Sequence, residues 1–288
     1  MKRFDYIKPG KMDDAIAALK DKDSPYLLAG GTDLLIGMKT NAVKPKCIID
    51  LKGIPQIDSI EYDNGFKFGT LTCIRDIEVS ALIREKIPVL SQAASTLGSI
   101  QIRNRATIGG NLCHGSPAAD MAAILLAMNC EVTIASDKGE KTIGLDQFFT
   151  GPNSTILGKH EVLSQIIIPK KTEQFKGVYL KHGPRKAMDI GIVNIAILLD
   201  ADLNNGLCNQ VMIALGAVAP TPIRAKKAEA LLNGKELKPD LIHKAAAAAS
   251  SEAKPITDFR ASASYRKDLV KSLVTKGILQ ILESYNAG

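Results

Sequence analysis

Apolar residues recur at helical spacing in "KMDDAIAALKD", where Met12, Ile16 and Leu19 share a face and acidic residues fill the first turn. The sequence predicts a short amphipathic helix there. "SPYLLAGG" follows, a short apolar run closed by two glycines, and reads as a buried strand ending in a turn. "CIIDL" (47–51) reads as a second buried strand. Together they predict a small α/β unit over about residues 1–56.

From Ile60 the pattern changes. "FKFGTLTCIRDIEV" holds alternating and β-branched stretches, and "IPVLSQAASTLGS" is helical in period, ending near Gly98. "SPAADMAAILLAM" predicts a helix with Ser116 as N-cap, Pro117 at the first helical position and Asp120 in the first turn. "CEVTIAS", a polar "DKGE" and "KTIGL" predict a hairpin, and "EVLSQIIIP" (161–169) another strand, closed by Pro169. The polar "KKTEQFKG" (170–177) reads as a linker. Three strand-like runs follow it, "GVYLKHG", "DIGIVNIAILLDAD" and "CNQVMIALGAVAP", and then three helical ones, "AKKAEALLNG", "DLIHKAAAAASSEA" and "SYRKDLVKSLVTKGILQILES". Strands first and helices after make this part α+β.

The 288 residues suffice for one large domain or two to three small ones. Mean hydropathy is +0.04 and no apolar run is long enough to span a bilayer, so a soluble protein without a membrane span is expected. "MKRFDYIKPG" lacks the apolar core of a signal peptide, which points to the cytoplasm. The net charge is +7. The lysines are scattered, aromatic residues are 5% and Trp is absent, so no stacking platform for nucleic acid is evident. Attraction to an anionic cofactor or an acidic partner subunit fits better. Cys47, Cys73, Cys113, Cys130 and Cys208 have no C-x-x-C spacing, and His114, His160, His182 and His243 lack metal-ligand spacing. Reduced, buried thiols and no metal site are expected.

Two Gly-Gly pairs carry the candidate chemistry: "AGGTDLLIGMK" (Gly30-Gly31) and "TIGGNLCHGSPAAD" (Gly109-Gly110). Either alone is an ordinary tight turn. Glycine permits positive φ and close approach of a ligand, and successive N–H groups in such turns make an anion site. Thr32 and Thr107 add hydroxyls and Asn111 an amide. Two such turns suggest two walls of one pyrophosphate site. The fingerprints G-x-G-x-x-G and G-x-x-x-x-G-K-[ST] are both absent.

At this point a resemblance appears. "AGGTDLLIGMK", "QIRNRATIGGNLCHGSPAADMAAILLAM", "APTPIRAKKAE" and "FRASASYRKDLV" occur in that order in the FAD-binding medium subunits of the molybdenum hydroxylases: xanthine, nicotinate and aerobic carbon monoxide dehydrogenases. The resemblance covers essentially the whole chain. "RKAMDIGIVN" and "AVAPTPIR" look most like the xanthine dehydrogenase type. The resemblance implies an α+β fold. Residues 1–172 would be a vanillyl-alcohol-oxidase (PCMH)-type FAD domain of two α/β subdomains, about 1–56 and 57–172. A C-terminal domain, 173–288, would be a three-stranded antiparallel sheet with helices. Leu28, Ala29, Gly30, Gly31, Thr32, Asp33 and Leu34 would line one side of the FAD diphosphate, and Thr107, Ile108, Gly109, Gly110 and Asn111 the other. Asp120 would hydrogen-bond the FAD, Leu163 would be an apolar contact near the flavin, and Lys181 a basic residue near the flavin side of the pocket. From the residues alone Asp120 could simply favour a helix N-terminus, Leu163 could be core, and Lys181 a solvated lysine. His114 would be a loop contact and the FAD non-covalent.

The function so implied is electron transfer from an iron–sulfur small subunit to FAD and on to NAD or another acceptor, with no acid, base or nucleophile on this chain. The substrate, xanthine or a related N-heterocycle, would be hydroxylated on a molybdopterin large subunit; carbon monoxide, nicotinate or an aldehyde are the alternatives. Molybdopterin and two-iron clusters would sit on those partner chains, in a dimer of heterotrimers. The cysteine-rich insert of the hydroxybenzoyl-CoA reductase branch is absent. A self-contained flavin oxidase is a rival reading, and a non-enzymatic nucleotide module another; a visible absorption spectrum separates the second from both flavoproteins.

Overall fold

The computed structural model describes residues 2–185, 188–202 and 206–286. Strand β1 (Asp5–Ile7), helix α1 (Met12–Asp21), β2 (Pro25–Leu28), α2 (Leu34–Lys39) and β3 (Cys47–Asp50) form the first unit. Helix α1 forms where the periodicity placed it and buries Ala15, Ile16 and Leu19 in a core shared with Cys47 and Ile49. The sheet is parallel, in the order β1-β3-β2. Because β2 and β3 run the same way, with Leu28 opposite Asp50, the segments leaving them emerge side by side. Ligands of open α/β sheets gather at this carboxyl edge.

The second unit contains β4 (Ile60–Tyr62), β5 (Gly65–Gly69), α3 (Ile74–Val79), α4 (Ala81–Lys86), α5 (Pro88–Ser95), α6 (Ile100–Arg103), α7 (Ile108–Cys113) and α8 (Asp120–Ala127). It continues through β6 (Glu131–Ser136), β7 (Gly139–Gly144), β8 (Phe149–Gly151), β9 (Ser154–Thr155) and β10 (Val162–Pro169). Its antiparallel sheet runs β4-β5-β10-β6-β7, with the "DKGE" turn joining β6 to β7 as expected. The strand-like "FKFGTLTCIRDIEV" divides: its first part is β5, and "IRDIEV" is α3, with Ile74 and Ile77 buried one turn apart. Six residues are too few for periodicity to separate the two states.

Helix α8 is buried on all sides, as its apolar composition requires. It starts at Asp120, three residues later than the sequence placed it. The Ser116 hydroxyl accepts from Ala118 N–H at 3.2 Å, and the Pro117 carbonyl accepts from Ala217 N–H of the C-terminal unit at 2.7 Å. These contacts hold the preceding segment as a turn.

Strands β11 (Lys176–His182), β12 (Val193–Asp202) and β13 (Leu207–Gly216) are the three expected in the C-terminal unit. A two-residue β14 (Ile223–Arg224), too short to leave a periodicity, adds a fourth edge. Helices α9 (Lys226–Leu232), α10 (Pro239–Glu252) and α11 (Ala263–Asn286) pack on one face, over Ile197, Ile213 and Leu215. The alternate residues Ala196, Leu198, Met212 and Ala214 join the core of the second unit instead. Helix α8 thus lies between two sheets. The expected linker is a tight connection: Lys170–Gln174 is a 3-10 turn, and the buried Thr172 hydroxyl donates to the Met128 carbonyl at 3.3 Å. In "RKAMDIGIVN", Lys186 and Ala187 lie outside the described residues.

Candidate functional site

The two glycine segments meet. A Cβ built on Gly30 would lie 1.9 Å from the Arg105 carbonyl oxygen, and one on Gly110 would lie 3.7 Å from the Ala29 Cβ. Only glycine lets the backbones approach this closely. A cleft of about 350 Å³ opens between them, lined by Ala29 and Gly30 from one segment, Arg105 and Thr107 from the other, and Lys52 at the end of β3.

The first segment leaves β2 as an irregular loop. Gly31 has φ +78°, the left-handed region. Among the described residues, the N–H groups of Gly30, Gly31, Thr32 and Asp33 donate to no protein acceptor. Successive free donors are the kind of feature that binds anions, and Gly30 among these lines the cleft. The Thr32 hydroxyl lies 3.4 Å from the Asp33 carboxylate, and Leu34 opens α2.

The second segment differs from the turn expected of it. Gly109 and Gly110 lie inside α7, and neither has positive φ. Thr107 is the N-cap, its hydroxyl oxygen accepting from Gly110 N–H at 3.1 Å. Ile108 N–H donates to the Thr72 carbonyl at 3.0 Å and Gly109 N–H to the Thr70 carbonyl at 2.9 Å. Asn111 N–H donates to the Thr107 carbonyl at 3.0 Å. The backbone donors from Ile108 to Asn111 are therefore committed, and that of Thr107 is free. Besides it, what this wall can offer a ligand is the Thr107 O–H and the Asn111 side-chain NH₂. The Asn111 Oδ1 accepts from Met121 N–H at 3.2 Å, a cap on α8 supplied from outside that helix. His114 is exposed at the C-terminus of α7.

Asp120 and Lys181 come together without lining the cleft. Their side chains are 11% and 10% exposed, with Lys181 Nζ 2.8 Å from Asp120 Oδ1. Lys181 also donates to Asp120 Oδ2 at 2.9 Å and to the Thr96 carbonyl at 3.1 Å, and the Tyr179 hydroxyl donates to Asp120 at 3.2 Å. Burial pushes the Asp120 carboxyl above the usual carboxylate range, against the pull of Lys181 and the hydrogen bond from Tyr179. Lys181 is thus not the solvated lysine its residue type alone suggested. Leu163 is core, 2% exposed and opposite Ile134 in the sheet.

Sequence reading missed Lys52, Arg105 and Tyr179. Lys52 had one available signal: it lies two residues beyond the end of a strand parallel to the one that launches the glycine loop. The described residues contain no group of three or more His, Cys, Asp or Glu able to hold a metal, and no helix long and apolar enough to cross a membrane. The five thiols are free. Cys47, Cys130 and Cys208 are buried as expected, Cys73 is partly exposed, and Cys113 is exposed.

Comparison with known proteins bears on this geometry. Residues 2–171 match the family model described as the FAD binding domain in molybdopterin dehydrogenase, and residues 178–281 match the CO dehydrogenase flavoprotein C-terminal domain. The chain is 31% identical to the glyceraldehyde dehydrogenase medium chain of Sulfolobus acidocaldarius, over 96% of this chain and 98% of that one. It is 30% identical to the xanthine dehydrogenase FAD-binding subunit of Escherichia coli O157:H7, over 95% and 94%. A solved carbon monoxide dehydrogenase from Hydrogenophaga pseudoflava superposes with TM-score 0.92 at 31% identity, covering 96% of each chain. The likeness is spread across these types, so the expected closeness to xanthine dehydrogenase is not singled out.

Proposed function

Since this chain belongs to the FAD-binding medium-subunit family of the molybdenum hydroxylases, and is an oxidoreductase subunit of such a flavoprotein complex, we propose that the cleft between its glycine segments holds FAD non-covalently by the diphosphate. The observation that carries this is the row of free N–H groups from Gly30 to Asp33, whose first member lines the cleft together with Thr107 of the other segment. All are neutral donors, suited to a diphosphate that must be bound without a tight lysine pair. Leu28 and Leu34 flank the loop. Ile108 and Gly109 shape the second wall from within the core. Asp120, Leu163 and Lys181 belong to the flavin end of this reading. A buried pair of opposite charge there keeps the local field nearly neutral while leaving Tyr179 and Lys181 fixed in orientation.

Bound FAD supplies one- and two-electron transfer, and the chain holds it and tunes its surroundings. No acid, base or nucleophile on this chain is required. Electrons would come from an iron–sulfur small subunit, with molybdopterin on a large subunit, in a dimer of heterotrimers, and leave to NAD or another acceptor. Most of the proposed cofactor site lies before about residue 172, with Lys181 reaching it from the C-terminal part. Two segments of the C-terminal part carry the exposed Met188, Ile190, Ile256, Phe259 and Tyr265. They are tied together by Arg266, which donates to the Ile192 carbonyl at 2.6 Å and pairs with Asp258 at 2.8 Å. Exposed apolar side chains held on an ordered scaffold suit a protein partner. For the substrate of the complex, an aldehyde, carbon monoxide and nicotinate stand beside xanthine, since the relatives named for these range only from 28% to 31% identity. Cytoplasmic residence remains part of the proposal.

Apoprotein titrated with FAD should acquire a flavin spectrum, and acid should release intact FAD. A chain that takes up no flavin overturns the reading. The flavin-loaded chain should pass electrons from a reduced donor to an artificial acceptor, yet oxidise no heterocycle, aldehyde or carbon monoxide until its partner chains are added. Turnover by the single chain, free of molybdenum, favours the self-contained oxidase instead.

A further inference from the structure

The Ala29 carbonyl and the Gly30 N–H belong to one peptide unit, and the two groups of a trans peptide point in opposite directions. Whatever holds the carbonyl therefore aims the N–H. Lys52 holds it: its Nζ donates to the Ala29 carbonyl at 3.0 Å. Lys52 is itself held. Its Nζ lies 2.6 Å from Asp50 Oδ1, and its backbone N–H donates to the same oxygen at 3.0 Å. The other Asp50 oxygen accepts from the Tyr6 hydroxyl at 2.6 Å. Asp50 is 4% exposed at the end of β3, so its position is set by the sheet. Burial opposes ionisation of Asp50, but the bonds from Lys52 and Tyr6 outweigh it and hold the carboxyl below its usual range.

We propose that Lys52 is a positioning residue of the cofactor site: anchored by Asp50 and Tyr6, it orients and polarises the Ala29–Gly30 peptide so that the Gly30 N–H is the leading donor to the diphosphate. A cation on the carbonyl draws charge through the amide and strengthens its N–H as a donor. The Lys52 charge is already matched by Asp50, so its effect on the anion is passed on through the peptide it holds. This inference rests on the proposed diphosphate site.

Its test uses the full chain as apoprotein, with Lys52→Met, Lys52→Arg and Tyr6→Phe. Lys52→Met keeps the length of the side chain and removes the donor. FAD affinity should fall about tenfold, the scale of one charge-assisted hydrogen bond. The melting temperature of the apoprotein should fall modestly, because Asp50 stays buried without its cation, so FAD affinity is compared at a temperature where every variant is folded. Lys52→Arg should restore most of the affinity, and Tyr6→Phe should show a smaller loss. The amide resonance of Gly30 should shift in Lys52→Met and return in Lys52→Arg. Unchanged FAD affinity in Lys52→Met overturns the inference, as does a loss that follows the melting temperature and is not rescued by Arg. If the wild-type chain binds no FAD, the reading beneath fails. Inorganic pyrophosphate then tests the tether alone: it should perturb the Gly30 amide in the wild type and do so less in Lys52→Met, and an equal perturbation in both refutes it.

Discussion

The two Gly-Gly segments look alike in sequence and do opposite work in the structure. The first is a loop with free N–H groups and one left-handed glycine. The second is a helix start whose N–H groups from Ile108 to Asn111 answer to protein acceptors, leaving only that of the N-cap Thr107 free among the described residues of this wall. Gly31 is glycine for its φ. Gly109 is glycine because Thr70 leaves no room for a Cβ, the nearest atoms standing at 1.8 and 2.6 Å from where it would be. In the proposed site the first pair would serve binding, while the second lets α7 pack against the core. Paired glycines therefore report close backbone approach, and only the fate of the amides says whether a ligand is the reason.

The largest expected effect comes from putting a side chain into each pair. Gly109→Val should destabilise the apoprotein by about 3 kcal/mol, through overpacking against Thr70. Gly31→Ala should cost about 1 kcal/mol of stability from its positive φ while weakening FAD binding more than that. Thermal melts and FAD titrations of both variants test the contrast. If Gly31→Ala unfolds the chain as readily as Gly109→Val and spares FAD affinity, the division of labour is wrong.

Next comes the gap between the walls. In Gly110→Val the new side chain would meet the Thr107 hydroxyl, 2.7 Å from the Cβ position, and fill space facing Ala29. Most FAD should be lost. His114→Ala, at an exposed position, should cost at most about 1 kcal/mol of binding. Equal flavin retention in the two purified variants would contradict a site built between the segments.

Asn111 separates the scaffold role from the binding role within one side chain. Asn111→Ala removes the acceptor for Met121 N–H and should lower stability by about 1 kcal/mol. Asn111→Asp keeps an acceptor there but replaces the NH₂ donor with negative charge. It should retain stability and lose FAD affinity. A variant that keeps both shows that the amide donor does not face the ligand.

The smallest effect is a pH dependence confined to the first wall. Its brace contains Asp50, whose folded pKa is depressed. Such a group stabilises the fold above its unfolded pKa, and the contribution is lost as pH falls through the folded value. The window lies below about pH 4. The second wall is held by Thr70, Thr72 and Thr107, which do not titrate there. Wild type should thus lose stability relative to Asp50→Asn on acidification through that window, seen as converging melting temperatures. Parallel curves would show that Asp50 is not so anchored.

The sequence by itself determined a good deal. Local apolar patterning placed α1, β2, β3, the β6–β7 hairpin, β10 and the strands-then-helices order of the C-terminal part, although β2 is at most half-buried, with Tyr26 exposed, where a buried strand was expected. The motif order pointed to the FAD-binding family, which the family models match over most of the chain. Tertiary structure decided the rest. Whether "IRDIEV" is strand or helix depends on what it packs against, and α8 starts at Asp120 because Ala217 takes the Pro117 carbonyl. Only the fold brings Lys181 to Asp120 across 61 positions, or Lys52 to Ala29 across 23. Such pairs leave no spacing in the chain. Their partners are chosen by strands that lie side by side, and a strand's neighbours are set by the whole sheet rather than by its own residues.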